Sequence, residues 1–160
     1  MAQEKISLEQ FIETVDASNQ AFAQDLHAYL TDNGCKATFE KKKTGLLGSY
    51  KYGKPPKALV NLLLKPHGLL VRIYGENASG YHDFLQTLPK DMVQAIADAA
   101  ICKRLVHNTC SPKCSGYDVT IGGERFQTCR YGGFEFLVTS ESGPCIQSFV
   151  AHEVAARAAV

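Results

Sequence analysis

A chain of 160 residues, 45% hydrophobic and 21% charged, has the size and composition of one globular domain able to bury its own core, which excludes disorder and fibrous repeats. Seventeen Lys and Arg against sixteen Asp and Glu leave a formal net charge of +1, which argues against a dedicated nucleic-acid binder, normally a strongly basic domain. No stretch approaches the roughly 18 unbroken apolar residues of a membrane span, and Met1 to Ser7 carries no basic cluster with an apolar run behind it, so the expected setting is the cytoplasm.

Ser7-Leu8-Glu9-Gln10 fits a capping box, in which serine and glutamine side chains pair with backbone N–H groups at a helix start. Leu8, Phe11, Val15, Phe22, Leu26 and Tyr29 then recur at helical spacing as far as the stop signal Asn33-Gly34. The polar stretch from Asp16 to Gln20 is where a break can sit. From Cys35 the period changes to two, with Cys35, Ala37 and Phe39 alternating with Lys36, Thr38 and Glu40. Three further strands are expected at Leu46 to Tyr52, Ala58 to Leu64 and Leu69 to Tyr74, separated by turn clusters. The nearly all-apolar run from Ala58 to Leu64 predicts a central strand.

Asn77 to Leu88 reads as a short helix and Pro89 to Leu105 as a second, with the proline in its first turn. Val106 to Gly116 has no apolar period and reads as a loop. Tyr117 to Ile121, Arg125 to Tyr131 and Phe134 to Val138 read as short strands, and Pro144 to Arg157 as a final helix burying Ile146, Phe149, Val150 and Val154. The expected fold is α+β, with residues 1–160 forming a single domain. Residues 1–105 supply a helix, a four-stranded antiparallel sheet and two helices; residues 106–160 supply a cysteine-bearing loop, a second small antiparallel sheet and the C-terminal helix.

The run Lys57-Ala58-Leu59-Val60-Asn61-Leu62 through Leu69-Leu70-Val71-Arg72-Ile73-Tyr74-Gly75, with Leu88-Pro89-Lys90-Asp91 after it, resembles the small bacterial YdhG-type domains, described as frataxin-like. The resemblance covers roughly Phe22 to Leu105. It implies a curved antiparallel sheet packed on helices and brings no catalytic motif with it; the cysteine-bearing half departs from the pattern.

Six cysteines in a chain that is neither short nor evidently secreted point to reduced thiols or metal ligands rather than a disulfide framework. Cys102, Cys110, Cys114 and Cys129 are spaced so that four thiolates can surround a tetrahedral zinc, with Cys110 and Cys114 forming a compact knuckle. Such a closed site stabilises a fold and does no chemistry itself. The competing reading is plain buried thiols. Cys145 follows Pro144 at a helix start, where the helix dipole favours thiolate, but His152, two turns on, is too distant to act as its base.

Between Lys36 and Lys65 stand eight lysines against the single acid Glu40. Edge-strand lysines discourage sheet-to-sheet aggregation; they also form a basic face, with Tyr50 and Tyr52 interleaved, for an anionic ligand. Lys51 and Tyr52 are therefore candidate ligand-binding residues. Arg125, Arg130 and Tyr131, beside Phe134 and Phe136, are a second candidate set. The leading expectation is a zinc-stabilised protein that binds a small anionic molecule or a protein partner. A thiol-based enzyme or redox sensor is the alternative, using Cys145, Cys129 or the Cys110/Cys114 pair, and nucleic-acid binding ranks last. No paired carboxylates or nucleophile–base pattern favours catalysis over binding.

Overall fold

The computed structural model describes residues 4–111 and 116–159. A two-residue strand β1 (Glu4–Lys5) leads into helix α1 (Leu8–Thr14), which starts at the expected capping box, with Ser7 Oγ accepting from Gln10 N and Gln10 Oε1 accepting from Ser7 N. The chain breaks at Val15 and Asp16 and resumes as α2 (Ala17–Asp32). Ser18 and Asn19 side chains both bond the Asp16 carboxylate there, so the polar gap in the apolar pattern is a helix boundary.

Four strands follow: β2 (Lys36–Lys42), β3 (Gly45–Tyr52), β4 (Lys57–Lys65) and β5 (Gly68–Ile73). A 3-10 turn (Ala78–Tyr81) runs into the short α3 (His82–Leu85), and α4 (Lys90–Asp98) and α5 (Lys103–Val106) stand where one helix was expected. The interruption has a physical cause. Ile101 bridges Thr128, Cys102 N donates to Gln127 O, and Cys129 N donates to Ala100 O, so the backbone from Ala100 to Cys102 pairs as a strand and cannot continue the helix.

The second half adds β6 (Tyr117–Ile121), β7 (Glu124–Thr128), β8 (Glu135–Leu137) and α6 (Ser142–Ala158). All strand pairs are antiparallel, in a six-stranded sheet of order β1-β2-β3-β4-β5-β8 and a separate β6-β7 hairpin. The α+β reading holds, and β4 lies inside the large sheet as its apolar run predicts. The third short strand behaves differently: β8 joins β5 rather than the small sheet, with Val71 opposite Phe136 and Arg72 opposite Glu135.

Register explains which face is buried. Ile73, Val60 and Tyr50 are aligned across three strands, and Val71, Leu62, Gly48 and Phe39 across four. Apart from the glycine these side chains are at most 8% exposed. The alternate row, Thr38, Ser49, Asn61, Arg72 and Glu135, is polar and half-buried or exposed. Phe149, Ile146 and Val150 of α6 join the same buried cluster as Leu26 and Leu30 of α2 and the sheet residues. Among the described residues, no helix is long and apolar enough to cross a membrane.

Candidate functional site

The register of β3 against β4 shifts between Tyr50 and Lys51: Tyr50 pairs with Val60 but Lys51 pairs with Ala58, leaving Leu59 as the extra residue. A bulge of this kind bends a strand and re-aims the side chains beyond it. Here it buries both Leu59 and Val60, and beyond it Lys51 and Tyr52 reach the end of the sheet and line an open cleft of about 850 Å³. The cleft also takes in Gly34 at the end of α2, the 53–57 turn, Glu76 and Asn77 after β5, and Arg157 and Ala158 at the end of α6.

Five cationic side chains (Lys36, Lys51, Lys54, Lys57 and Arg157) and one carboxylate, Glu76, line this cleft. The four lysines are exposed, and among the described residues none has an acidic partner within ion-pairing distance. Glu76 is already paired, 3.0 Å from Arg130 Nη2 and 3.9 Å from Arg157 Nη2. The ends of α2 and α6 contribute roughly half a negative charge each, about one in total. That leaves the four lysines with a clear positive excess.

Beneath the lysines is a buried polar network. Glu153, fully buried, accepts from Tyr81 Oη at 2.6 Å, Asn77 N at 3.1 Å, Asn77 Nδ2 at 2.9 Å and Arg157 Nε at 2.9 Å. Arg157 Nη2 donates to Tyr74 O at 2.7 Å. The Arg157 side chain is only 8% exposed, and its Nη1 is buried with no acceptor. An unpaired buried N–H costs about 1–3 kcal/mol, more for a charged group. Burial and the adjacent Glu153 carboxylate push the Tyr81 phenol well above its ordinary pKa, so Tyr81 stays a donor to Glu153 at all physiological pH values.

Of the residues singled out by sequence, Lys51 and Tyr52 are in this cleft. Arg130 is not in the lining but is held on Glu76, which is, with its guanidinium carbon 5.1 Å from the Tyr74 ring centre. Tyr131 packs edge-on against Tyr74 at 6.4 Å and is 57% exposed. Arg125 lies elsewhere, in a two-bond pair with Asp118 across the β6-β7 hairpin; that contact holds the Asp118 carboxyl below its usual range. Phe134 and Phe136 are core residues rather than pocket walls. Tyr50 is fully buried and bonded to His27 Nδ1 at 2.9 Å, so it offers no stacking face to a ligand.

The cysteines divide by environment. Cys102 is buried, Cys129 half-buried and Cys110 exposed; Cys114 lies outside the described residues. Among the described residues, no three His, Cys, Asp or Glu side chains gather around a common point. Gly116 rests directly on Cys102, and a Cβ there would overlap both Sγ and Cβ of Cys102. Cys145 is half-buried in the first turn of α6, packed against the core. His152 is stacked on Phe84 with ring centres 4.4 Å apart, and its Nδ1 lies 2.8 Å from Ser148 O.

Arg157, Glu153 and Asn77 went unnoticed in the sequence because they are ordinary helix and loop residues until the fold brings residues 74–77 against the end of α6. The i,i+4 spacing of Glu153 and Arg157 was the available signal. No known protein family, curated protein or solved structure matches the chain.

Proposed function

We propose that this protein binds a small anionic molecule in the cleft formed by the β3-β4 turn, the loop after β5 and the end of α6. The observation that carries the reading is Arg157: a guanidinium in a lysine-lined cleft, held by Glu153 and Tyr74 O, with Nη1 still lacking an acceptor. Nη1 itself is sealed from water, so an incoming oxyanion reaches it only if side chains around it move. The cleft is within the size range of small-molecule sites, about 300–1,000 Å³. A second basic cleft of about 570 Å³, at the opposite end of the strands, contains Lys41, Lys42, Lys43 and Lys65. Among the described residues it has no unpaired buried polar atom in its lining, and Lys42 is 3.5 Å from Glu40.

Titration with inorganic phosphate at low salt, followed by calorimetry or amide chemical shifts, tests the proposal. Removing two lysine charges near a water-exposed anion forfeits about 1 kcal/mol each, so Lys51→Ala/Lys54→Ala weakens binding by about tenfold or more. Lys41→Ala/Lys43→Ala leaves it unchanged. Equal losses from both pairs, or no binding by the wild type, count against the cleft.

A structural zinc on Cys102, Cys110, Cys114 and Cys129 is the second part of the reading. It is supported by the return of the chain onto Cys102 at Gly116 and by the backbone pairing that brings Ala100–Cys102 beside Thr128 and Cys129. Elemental analysis of untagged protein under reducing conditions tests it: about one zinc per chain supports the site, and metal-free protein with six titrating thiols removes it. Kinship with the YdhG-type domains is proposed at the level of fold only, and no binding residue depends on it.

A further inference from the structure

The lining of the cleft identifies the ligand more narrowly, an inference that rests on the binding proposal above. We infer that the ligand is a phosphate monoester of mononucleotide size that also bears a flat ring, with its phosphate among Lys36, Lys51 and Lys54 over Arg157 and its ring against Tyr52.

The head group follows from which donors remain. A carboxylate is best held by both N–H groups along one edge of an arginine fork. Arg157 has no fork edge open to the cleft, because Nε donates to Glu153 and one N–H of Nη2 to Tyr74 O, while Nη1, which has no acceptor, is buried. The other donors are lysine ammonium groups, which act on phosphate as mobile point charges. The four lysines without acidic partners suit a dianion with three terminal oxygens better than a planar monoanion.

The body of the ligand follows from the other wall. Tyr52, Gly53, Pro55 and Pro56, interrupted by Lys54, supply the part of the lining with few polar side-chain atoms. Tyr52 is half-buried and packed against the core, which holds its ring in place at the cleft wall. Gly34 stands at φ +93°, a conformation strained for any residue with a side chain, and a Cβ there would lie 3.8 Å from Tyr52 Cε2. A side chain there would lie in ordinary contact with that edge of the ring, so glycine leaves it less covered. An aromatic ring beside a cationic groove is the arrangement on which nucleobases stack.

Adenosine 5′-monophosphate, inorganic phosphate and benzene-1,3-dicarboxylate, each titrated into the full-length protein at fixed ionic strength, provide the test. The expected result is that the nucleotide binds about tenfold more tightly than phosphate, that Tyr52→Leu lowers the affinity for the nucleotide by a larger factor than the affinity for phosphate, and that the flat dicarboxylate binds no better than phosphate. Phosphate binding with no gain from the nucleotide overturns this inference and leaves the anion cleft standing. A dicarboxylate as tight as the nucleotide overturns the choice of head group. Failure of all three to bind overturns both the inference and the proposal beneath it.

Discussion

Glu153 is the residue on which the basic cleft depends. With four hydrogen bonds on two oxygens, its carboxylate holds Arg157 and Asn77 in place and is itself removed from water. Breaking a buried pair is far more costly than the pair is stabilising, because the remaining charge is left without compensation, typically about 3–5 kcal/mol. Glu153→Gln keeps the shape and removes the charge, so it should destabilise the fold by about 3 kcal/mol, read as a lower urea midpoint at unchanged slope. A shift within error would show that Arg157 finds another acceptor. His27 makes a prediction of a different kind. Burial lowers its pKa from the ordinary value of 6.5, so below that value the unfolded chain binds the proton more readily than the folded one. Stability is therefore fully present above pH 6.5 and falls as pH drops from there toward the lower folded value. His27→Asn should flatten that part of a melting-temperature profile; an identical profile would assign the acid sensitivity to other groups.

At the scale of elements, β2 and β3 approach closely because Gly48 lets the Phe39 ring lie across the strand. A Cβ at position 48 would stand 2.9 Å from Phe39 Cε1, and Phe39 is held on the other side by Phe11, 5.2 Å away between ring centres. Gly48→Val should cost about 1–3 kcal/mol by overpacking, whereas Gly80→Ala, with nothing within 4 Å, should leave stability nearly unchanged; equal midpoints for the two in urea would refute the close-approach argument. Where an element depends on its own residues, the sequence was a sufficient guide. The Ser7 capping box, the period-two strand after Cys35 and the apolar β4 all appear where local chemistry puts them. Elements shaped by distant partners were not legible: α4 stops because residues 100–102 pair with residues beyond β6, and Phe134 to Val138 leaves its sequence neighbours to pair with β5. The candidate site divides in the same way. Lys51 and Tyr52 stand out in a lysine-rich sequence, but the bulge that aims them and the Glu153–Arg157 pair beneath them exist only in the folded chain.

For the molecule as a whole, the two halves of the sequence share one sheet and one core. Strand β8 and helix α6 are built into the structure begun by α1 and β2–β5, so neither half has a complete core alone. Calorimetry should show one unfolding transition with equal calorimetric and van't Hoff enthalpies. Cys114→Ser should lower its temperature by many degrees if zinc is bound, whereas Cys145→Ser should not; two separated transitions would disprove the shared core.

The position of β8 also has a consequence for the chain as it is made. Arg72 and its partner Glu135 are 63 residues apart, and at about 5–20 residues per second a ribosome needs on the order of several seconds to bridge that distance. Throughout that interval the outer edge of β5 has emerged with its hydrogen-bonding groups free and an apolar strand behind it, an arrangement that invites pairing with another nascent chain. Synthesis speed over residues 74–135, and the chaperones present meanwhile, should therefore govern the yield of soluble protein more than the stability of the finished fold does.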